Sequence, residues 1–460
     1  MTPAPLVPSS DRFSPPSPGA PMAVRFPAIV RSTLPNGVRV WTIPHATIPV
    51  VSAALVLRAG AAHDPADRHG LASLVAHLAE EGAGGHDAIQ LAEMFARMGT
   101  NLDADAGSDV TSLSLTVLTR FVEPALRLLA QVVTRPHLAE GDLQRVRELR
   151  MNRLRQLSRS PATPADRAFL TTVFGGHPYG HGVLGTTKSL ALITVQDAAQ
   201  FHDAMWRPAT ATLIVAGQID HDLVTRVAAD AFSSWTGTTK MPADVTPVPP
   251  PGGASEILLV DRPGAQQTEL RVGHTAPSRH TPDYHALVTL NNVLGADFSS
   301  RINRNLRETK GLTYVARSAF DLRRSGGSFV CQTSVQPDGT TPAIVELLRE
   351  CEEIRQDGSI QPDELSRAKS SLTRGYVRHF EAGDDLVRGA VQLAAYDLPD
   401  DTFDRFVPQV ESLRNDQIVD AARRLIRPDA FKIVVVGDAT QCRAQLETLN
   451  RPVLITTPEF

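Results

Sequence analysis

His77 sits in the stretch HGLASLVAHLAEEG, His69 to Gly82, whose residue types and spacing suit a helix beside a reaction site. Leu71, Leu74, Val75 and Leu78 recur at i, i+3, i+4 and i+7, one buried stripe. At about 100° per residue, Ser73, Ala76, His77 and Glu80 fall on the opposite face, so the helix is expected to line a cleft. That face offers little chemistry. A catalytic zinc wants three protein ligands and a water, which one imidazole beside a hydroxyl does not supply. Ala76 has no proton to give or take. His63, His69, Glu81 and Glu148 are the other donors near in sequence, and no improvised metal site is expected from them. A second pair, His177 and His181 in FGGHPYGHGVLG (Phe174 to Gly185), is four residues apart. Pro178 and Gly180 make that segment a loop, so the helical argument for a metal pair fails and the segment reads as structural.

The elements that position these residues come in two similar sets. ITVQDAAQFHDAMWRPATATLIVAGQ begins at Ile193, and LRNDQIVDAARRLIRPDAFKIVVVGD begins at Leu413, 413 − 193 = 220 positions later. Each reads as an amphipathic helix, then Arg-Pro (Arg207-Pro208, Arg427-Pro428), then a strand ending at Gly217 or Gly437. Val110 to Thr119 and Gly327 to Val335 alternate as half-buried strands, each leading into a Leu-rich helix, and further helices open near Asp142 and Glu364. The chain therefore reads as a tandem duplication of a roughly 200-residue α+β unit. Each unit is expected to be a mainly antiparallel sheet backed by helices, the two facing each other across a cavity. The expected boundaries are a Pro/Ser-rich disordered tail over 1–27 and an N-terminal unit over 28–240. A Pro/Gly linker follows over 241–256, and a C-terminal unit over 257–460.

The helix His69 to Gly82 resembles the metal-site helix of the pitrilysin (insulinase) family, which carries the inverted H-x-x-E-H motif. Gly70-Leu71-Ala72 fits the lead-in, so Ser73 stands at the first His, Ala76 at the base, and His77 alone keeps its family identity. The family's distal Glu comes about 76 residues later. Counting on, 77 + 76 = 153, which is Arg153, a permanent cation where a ligand should be. Val146 stands at a further acidic position, and Gly99 to Thr111 resembles the family's substrate-edge strand with Asp103 and Ala106 replacing its usual Asn and Thr. The second half resembles the family's C-terminal signature almost residue for residue in LGADFSSRINRNLRETKGLTY, Leu294 to Tyr314. There the resemblance implies an Arg and a Tyr, 314 − 307 = 7 positions apart, that reach the active site of a facing zinc-bearing unit. A tyrosine hydroxyl can donate to a tetrahedral oxyanion and a guanidinium fork can hold backbone carbonyls. Taken singly, Arg307 would be a helix residue paired with Glu308 or a later carboxylate, and Tyr314 a semi-buried strand aromatic.

The resemblance implies a non-catalytic, substrate-binding subunit of a two-chain zinc metallopeptidase, akin to the alpha-type subunit of mitochondrial processing peptidase and to bacterial pairs. Arg307 and Tyr314 would act in trans, the partner would be a zinc-bearing homologue, and this chain would hold no cofactor and bind peptides. The other reading is a scaffold subunit, like the respiratory-complex core proteins that share this fold. With a net charge of −4 and 21% charged residues, the chain lacks the basic footprint of a nucleic-acid binder. The longest apolar stretch, Ile48 to Leu57, is too short to span a bilayer. Cys331, Cys351 and Cys442 show no paired spacing, which suggests a reducing compartment. With no secretory signal recognised, the expected location is cytoplasmic.

Overall fold

A computed structural model describes residues 19, 21–237, 241–253 and 255–457. Two six-stranded sheets carry the chain. The first uses β1 (Val30–Thr33), β2 (Arg39–Pro44), β3 (Val50–Leu57), β4 (Asp103–Ala106), β5 (Thr111–Leu118) and β6 (Ala211–Gly217), in the order β1-β2-β6-β3-β5-β4. The second uses β7 (Ile257–Asp261), β8 (Thr268–Ala276), β9 (Ala316–Leu322), β10 (Gly327–Val335), β11 (Lys432–Gly437) and β12 (Val453–Thr456). Its order, read from the matching side, is β12-β7-β11-β8-β10-β9. Five of the six places correspond. β2/β6 and β7/β11 are parallel pairs, and the three pairs on the β4 or β9 side are antiparallel. The outer strands differ: β1 runs antiparallel to β2, whereas β12 runs parallel to β7. The helix Val195–Met205 recurs as Asn415–Leu425, 415 − 195 = 220, so the duplication is real in three dimensions.

Both faces of each sheet are buried. In β3, Val51, Ala53, Leu55 and Leu57 point into one core and Ala54 and Val56 into another, which explains its unbroken apolar run. Four helices place the site and the seam: α1 (Leu71–Ala79), α2 (Glu140–Ser158), α3 (Ala162–Phe174) and α4 (Gly383–Tyr396). α1 covers the first sheet on its outer face. The inner faces are covered by exchange. Leu386, Val387, Ala390, Leu393 and Ala394 of α4, from the second half, pack on Ala54, Val56, Ile214 and Ala216 of the first sheet. Ala165 and Phe169 of α3, from the first half, pack on Val260, Val434 and Val436 of the second. Burying each large apolar side chain in this way stabilises by about 1.5–3 kcal/mol.

This exchange seats one helix of each half on the sheet of the other. At the seam these helices cover the inner faces of the two sheets. Ahead of β1, Val24 packs with Phe406, Val407 and Val410, and Phe26 packs with Phe380 and Phe403 while its N–H donates to Asp404 at 2.7 Å. Two apolar side chains with a matching groove are enough to order that stretch, while 1–18 and 20 lie outside the described residues.

The linker is strapped down as it crosses. The Val248 N–H donates to the Ser325 carbonyl, the Ser325 hydroxyl donates to the Val245 carbonyl, and the Thr275 hydroxyl donates to the Pro249 carbonyl. Arg58 and Arg324 both pair with Asp244 and Asp397, joining first half, linker and second half in one network. The three cysteines are free and buried.

Candidate functional site

α1 begins at Gly70, whose φ of +96° and close approach to the Leu184 carbonyl admit only glycine comfortably. The Asp64 carboxylate accepts from the N–H groups of Gly70 and Ala72 at 2.7 and 2.8 Å, satisfying the helix start. Burial nonetheless pushes Asp64 up to about 7, against the pull of those donors. From this start, Leu71, Leu74, Val75 and Leu78 enter the core as the spacing predicts. The opposite face does not open onto a cleft at Ser73 and Ala76, which are 2% and 0% exposed.

The reason is Arg150 on α2. Its Nη1 donates to Ser73 Oγ at 2.7 Å, and its Nη2 reaches the Ser73 carbonyl at 3.3 Å and His77 Nδ1 at 3.0 Å. His77 Nδ1 also lies 2.9 Å from the Ser73 carbonyl, which only accepts, so Arg150 and that carbonyl compete for opposite protonation of the same nitrogen. Burial first, and Arg150 second, lower the His77 pKa. A fixed cation holds the very groups a metal would need, with Asp105 on β4 as its nearby counter-charge. Among the described residues no three His, Cys, Asp or Glu side chains group to hold a metal ion. The donor set Ser73, Ala76, His77 and Arg150 does not fit zinc.

Arg153, by contrast, is exposed. It lies off the buried stripe of α2, which continues past Arg150 to Leu154. The side chain that the structure brings to Ser73 and His77 is Arg150, which the count along the sequence did not single out. The signal was in the sequence: Leu143, Val146, Arg150 and Leu154 form the buried stripe of α2, and an Arg inside an apolar stripe marks a buried partner. Glu80, at the end of α1, is pushed up to about 8 by burial and then by Asp103 and Glu81. Asp103 is exposed and Ala106 buried on β4, the open edge of the first sheet. The His177–His181 loop is structural: His177 bonds the Thr246 carbonyl, His181 stacks on His69, and Tyr179 donates its hydroxyl to Asp109.

The second half presents the opposite situation. Ile302 and Leu306 are fully buried, and Arg307 follows within a π-helical turn, Arg304–Thr309. Such turns recur at functional sites. Asn305 donates to Glu346 and Glu350 at 2.8 and 2.9 Å, and Arg301 pairs with the buried Glu364, so the framework is rigid. Arg307 pairs with no carboxylate among the described residues. Its guanidinium lies 4.1 Å over the Phe298 ring, and its Nη1 is buried without a hydrogen-bond partner.

Tyr314 is 87% exposed, not a semi-buried strand residue. Its backbone is nevertheless fixed, since Thr313 Oγ1 donates to the Ser334 carbonyl at 2.7 Å and accepts from the Val315 N–H. Asn303 joins the two sides, donating to the Phe298 carbonyl at 2.6 Å and accepting from the Ala316 N–H at 3.2 Å. Phe298 and Asn303 were not singled out from sequence. Phe298 occupies a variable place in the signature, and no pattern marks its ring as a neighbour of Arg307.

A duplicated α+β unit with a remnant inverted zinc motif in one copy and an Arg/Tyr signature in the other defines a class of metallopeptidase-like chain. Residues 39–187 match the model of insulinase, peptidase family M16, and residues 192–372 match that of the peptidase M16 inactive domain. The chain belongs to this family. It is 28% identical over 373 residues to an uncharacterized zinc protease of Mycobacterium tuberculosis, covering 80% of this chain and 83% of that one. It is 22% identical over 405 residues to the uncharacterized zinc protease YmxG of Bacillus subtilis, 87% and 96% covered. Its fold matches the crystal structure of a peptidase M16 inactive domain from Pseudomonas fluorescens with a TM-score of 0.83 at 23% identity, covering 94% of this chain and all of that one. A protease from Helicobacter pylori matches with a TM-score of 0.83 at 20% identity, 90% and 100% covered. No helix among the described residues is long and apolar enough to cross a membrane.

Proposed function

We propose that this chain is the non-catalytic, substrate-binding subunit of a two-chain zinc metallopeptidase, and that Arg307 and Tyr314 act in trans at the active site of a zinc-bearing homologue. One observation supports this above the rest: the Tyr314 hydroxyl is exposed and Arg307 keeps a buried N–H without an acceptor, both on a rigid framework. Leaving a buried donor unpaired costs roughly 1–3 kcal/mol, an expense that makes sense where a ligand supplies the missing acceptor. In the complex, Arg307 grips carbonyls of the extended peptide and Tyr314 donates to the oxygen that becomes anionic as the peptide carbonyl is attacked. The partner supplies zinc and base, which the pocket of Ser73, Ala76, His77 and Arg150 lacks.

Mixing this chain with a homologue that carries an intact H-x-x-E-H tests the reading. The expected result is a stable heterodimer on size-exclusion chromatography and at least 10-fold more cleavage of an unstructured fluorogenic peptide than either chain alone, the scale of an oxyanion donor's worth. A stable complex with no gain in cleavage would favour the scaffold reading instead.

A further inference from the structure

We infer that Phe298 is a positioning residue of the Arg307 clamp, an aromatic platform that fixes the guanidinium before peptide arrives. The inference rests on the proposed trans clamp and adds to it a residue that the Arg/Tyr pair does not include. Phe298 is 64% exposed, so its ring is open to solvent and to a side chain laid over it. Its ring lies under Arg307, guanidinium carbon to ring centre 4.1 Å, within the range of a cation–π contact.

The loop that carries the ring is itself held from three sides. Asn303 binds the Phe298 carbonyl, Ser299 N–H and hydroxyl both donate to Asp297, and Ser371 donates to Asp297 from the neighbouring helix. An unrestrained Arg side chain loses about 2 kcal/mol of rotamer freedom when fixed. With the ring beneath it, much of that loss has already been met in the free protein. The donors lie in the guanidinium plane, and a guanidinium held over the ring keeps those not turned to the ring for a carbonyl or carboxylate of an extended peptide.

The effect should therefore appear in substrate capture rather than in turnover. Losing a cation–π contact at an exposed site corresponds to about a 2- to 5-fold change in binding. The test uses the reconstituted complex and a fluorogenic peptide, with Phe298→Ala, Phe298→Leu, Phe298→Trp and Arg307→Ala in this chain. The expected result is KM raised about 2- to 5-fold by Phe298→Ala and Phe298→Leu, kcat unchanged, and KM restored in Phe298→Trp, which keeps an aromatic face. In the Arg307→Ala background, Phe298→Ala should add nothing.

Leucine behaving as the native residue would show that bulk alone matters and would overturn the inference. So would a raised KM for Arg307→Ala with no effect of Phe298→Ala, a result that leaves the trans clamp standing. If Arg307→Ala itself leaves KM unchanged, the clamp reading falls and this inference with it. A partner-independent measurement accompanies these: phenylglyoxal labelling of the isolated chain, followed by peptide mass spectrometry, should modify Arg307 faster in Phe298→Ala and Phe298→Leu than in the native chain or Phe298→Trp. Equal labelling in all four would contradict the platform.

Discussion

The two halves answer the same structural problem in opposite ways. In the first, the polar groups at the old metal position are turned inward and satisfied: Ser73 and His77 are bound by Arg150, and the pocket is closed. In the second, the framework around Arg307 and Tyr314 is just as firmly held, yet Arg307 Nη1 is buried without a hydrogen-bond partner and Tyr314 is 87% exposed. Polar groups closed off from solvent need an internal partner, and Arg150 is that partner, because unpaired buried polar groups are costly. On the proposed function, the groups of Arg307 and Tyr314, on rigid support, are held for a ligand outside the chain.

The comparison breaks first, and most completely, at the metal. The native chain is expected to bind no stoichiometric zinc and to hydrolyse no peptide alone. Ser73→His, Ala76→Glu and Arg150→Glu together restore three ligands and a base, and elemental analysis should then find one zinc per chain. The same design with Arg153→Glu in place of Arg150→Glu should find none, since Arg150 would still hold the pocket. Zinc in the second design, or none in the first, would show that the pocket is misassigned.

A smaller effect is expected on stability. Arg150→Ala leaves a cavity and strips the donors from Ser73 and His77, which should cost about 2–4 kcal/mol in urea unfolding. Arg150→Met, which fills the volume without a charge, should stay within about 1 kcal/mol of the native chain. If both cost the same, the guanidinium's hydrogen bonds are not what the pocket needs.

The smallest effect lies in pH. The folded state raises Glu80 from 4.5 to about 8, so the folded chain binds this proton more tightly than the unfolded one. Stability from this group is then complete below about pH 4.5 and is lost as pH rises towards about 8. Asp64, raised to about 7, acts in the same direction. Glu80→Gln should flatten, without abolishing, the fall in stability across that window. An unchanged slope by urea titration at several pH values would remove Glu80 from the account.

Much of this was legible in the sequence, for physical reasons. The 220-residue offset survived because amphipathic helix, Arg-Pro break and strand are each fixed by local patterning. The second-half signature was legible because Leu294 to Tyr314 is contiguous, so no loop intervened to shift the count. Arg150 was missed because its partners are on another helix across variable loops. The helix exchange was hidden as well: the apolar face of α4 demands burial but does not say against which sheet, and its partner strands lie far back in the chain. Phe298 depended on the π-helical turn that brings Arg307 over its ring, a geometry no residue pattern announces.

The central claim, that the open groups of the second half work on another chain's substrate, is tested most directly by Tyr314→Phe. This change removes one hydroxyl from a side chain that is 87% exposed, so folding and assembly should be untouched. The measurement is kcat on an unstructured peptide at matched concentrations of purified complex with a zinc-bearing homologue. Losing one oxyanion donor typically costs about 100- to 1000-fold, and a partly solvated donor less, so a fall of about 10-fold or more is predicted. A Tyr314→Phe complex that assembles and turns over as fast as the native pair would contradict the account.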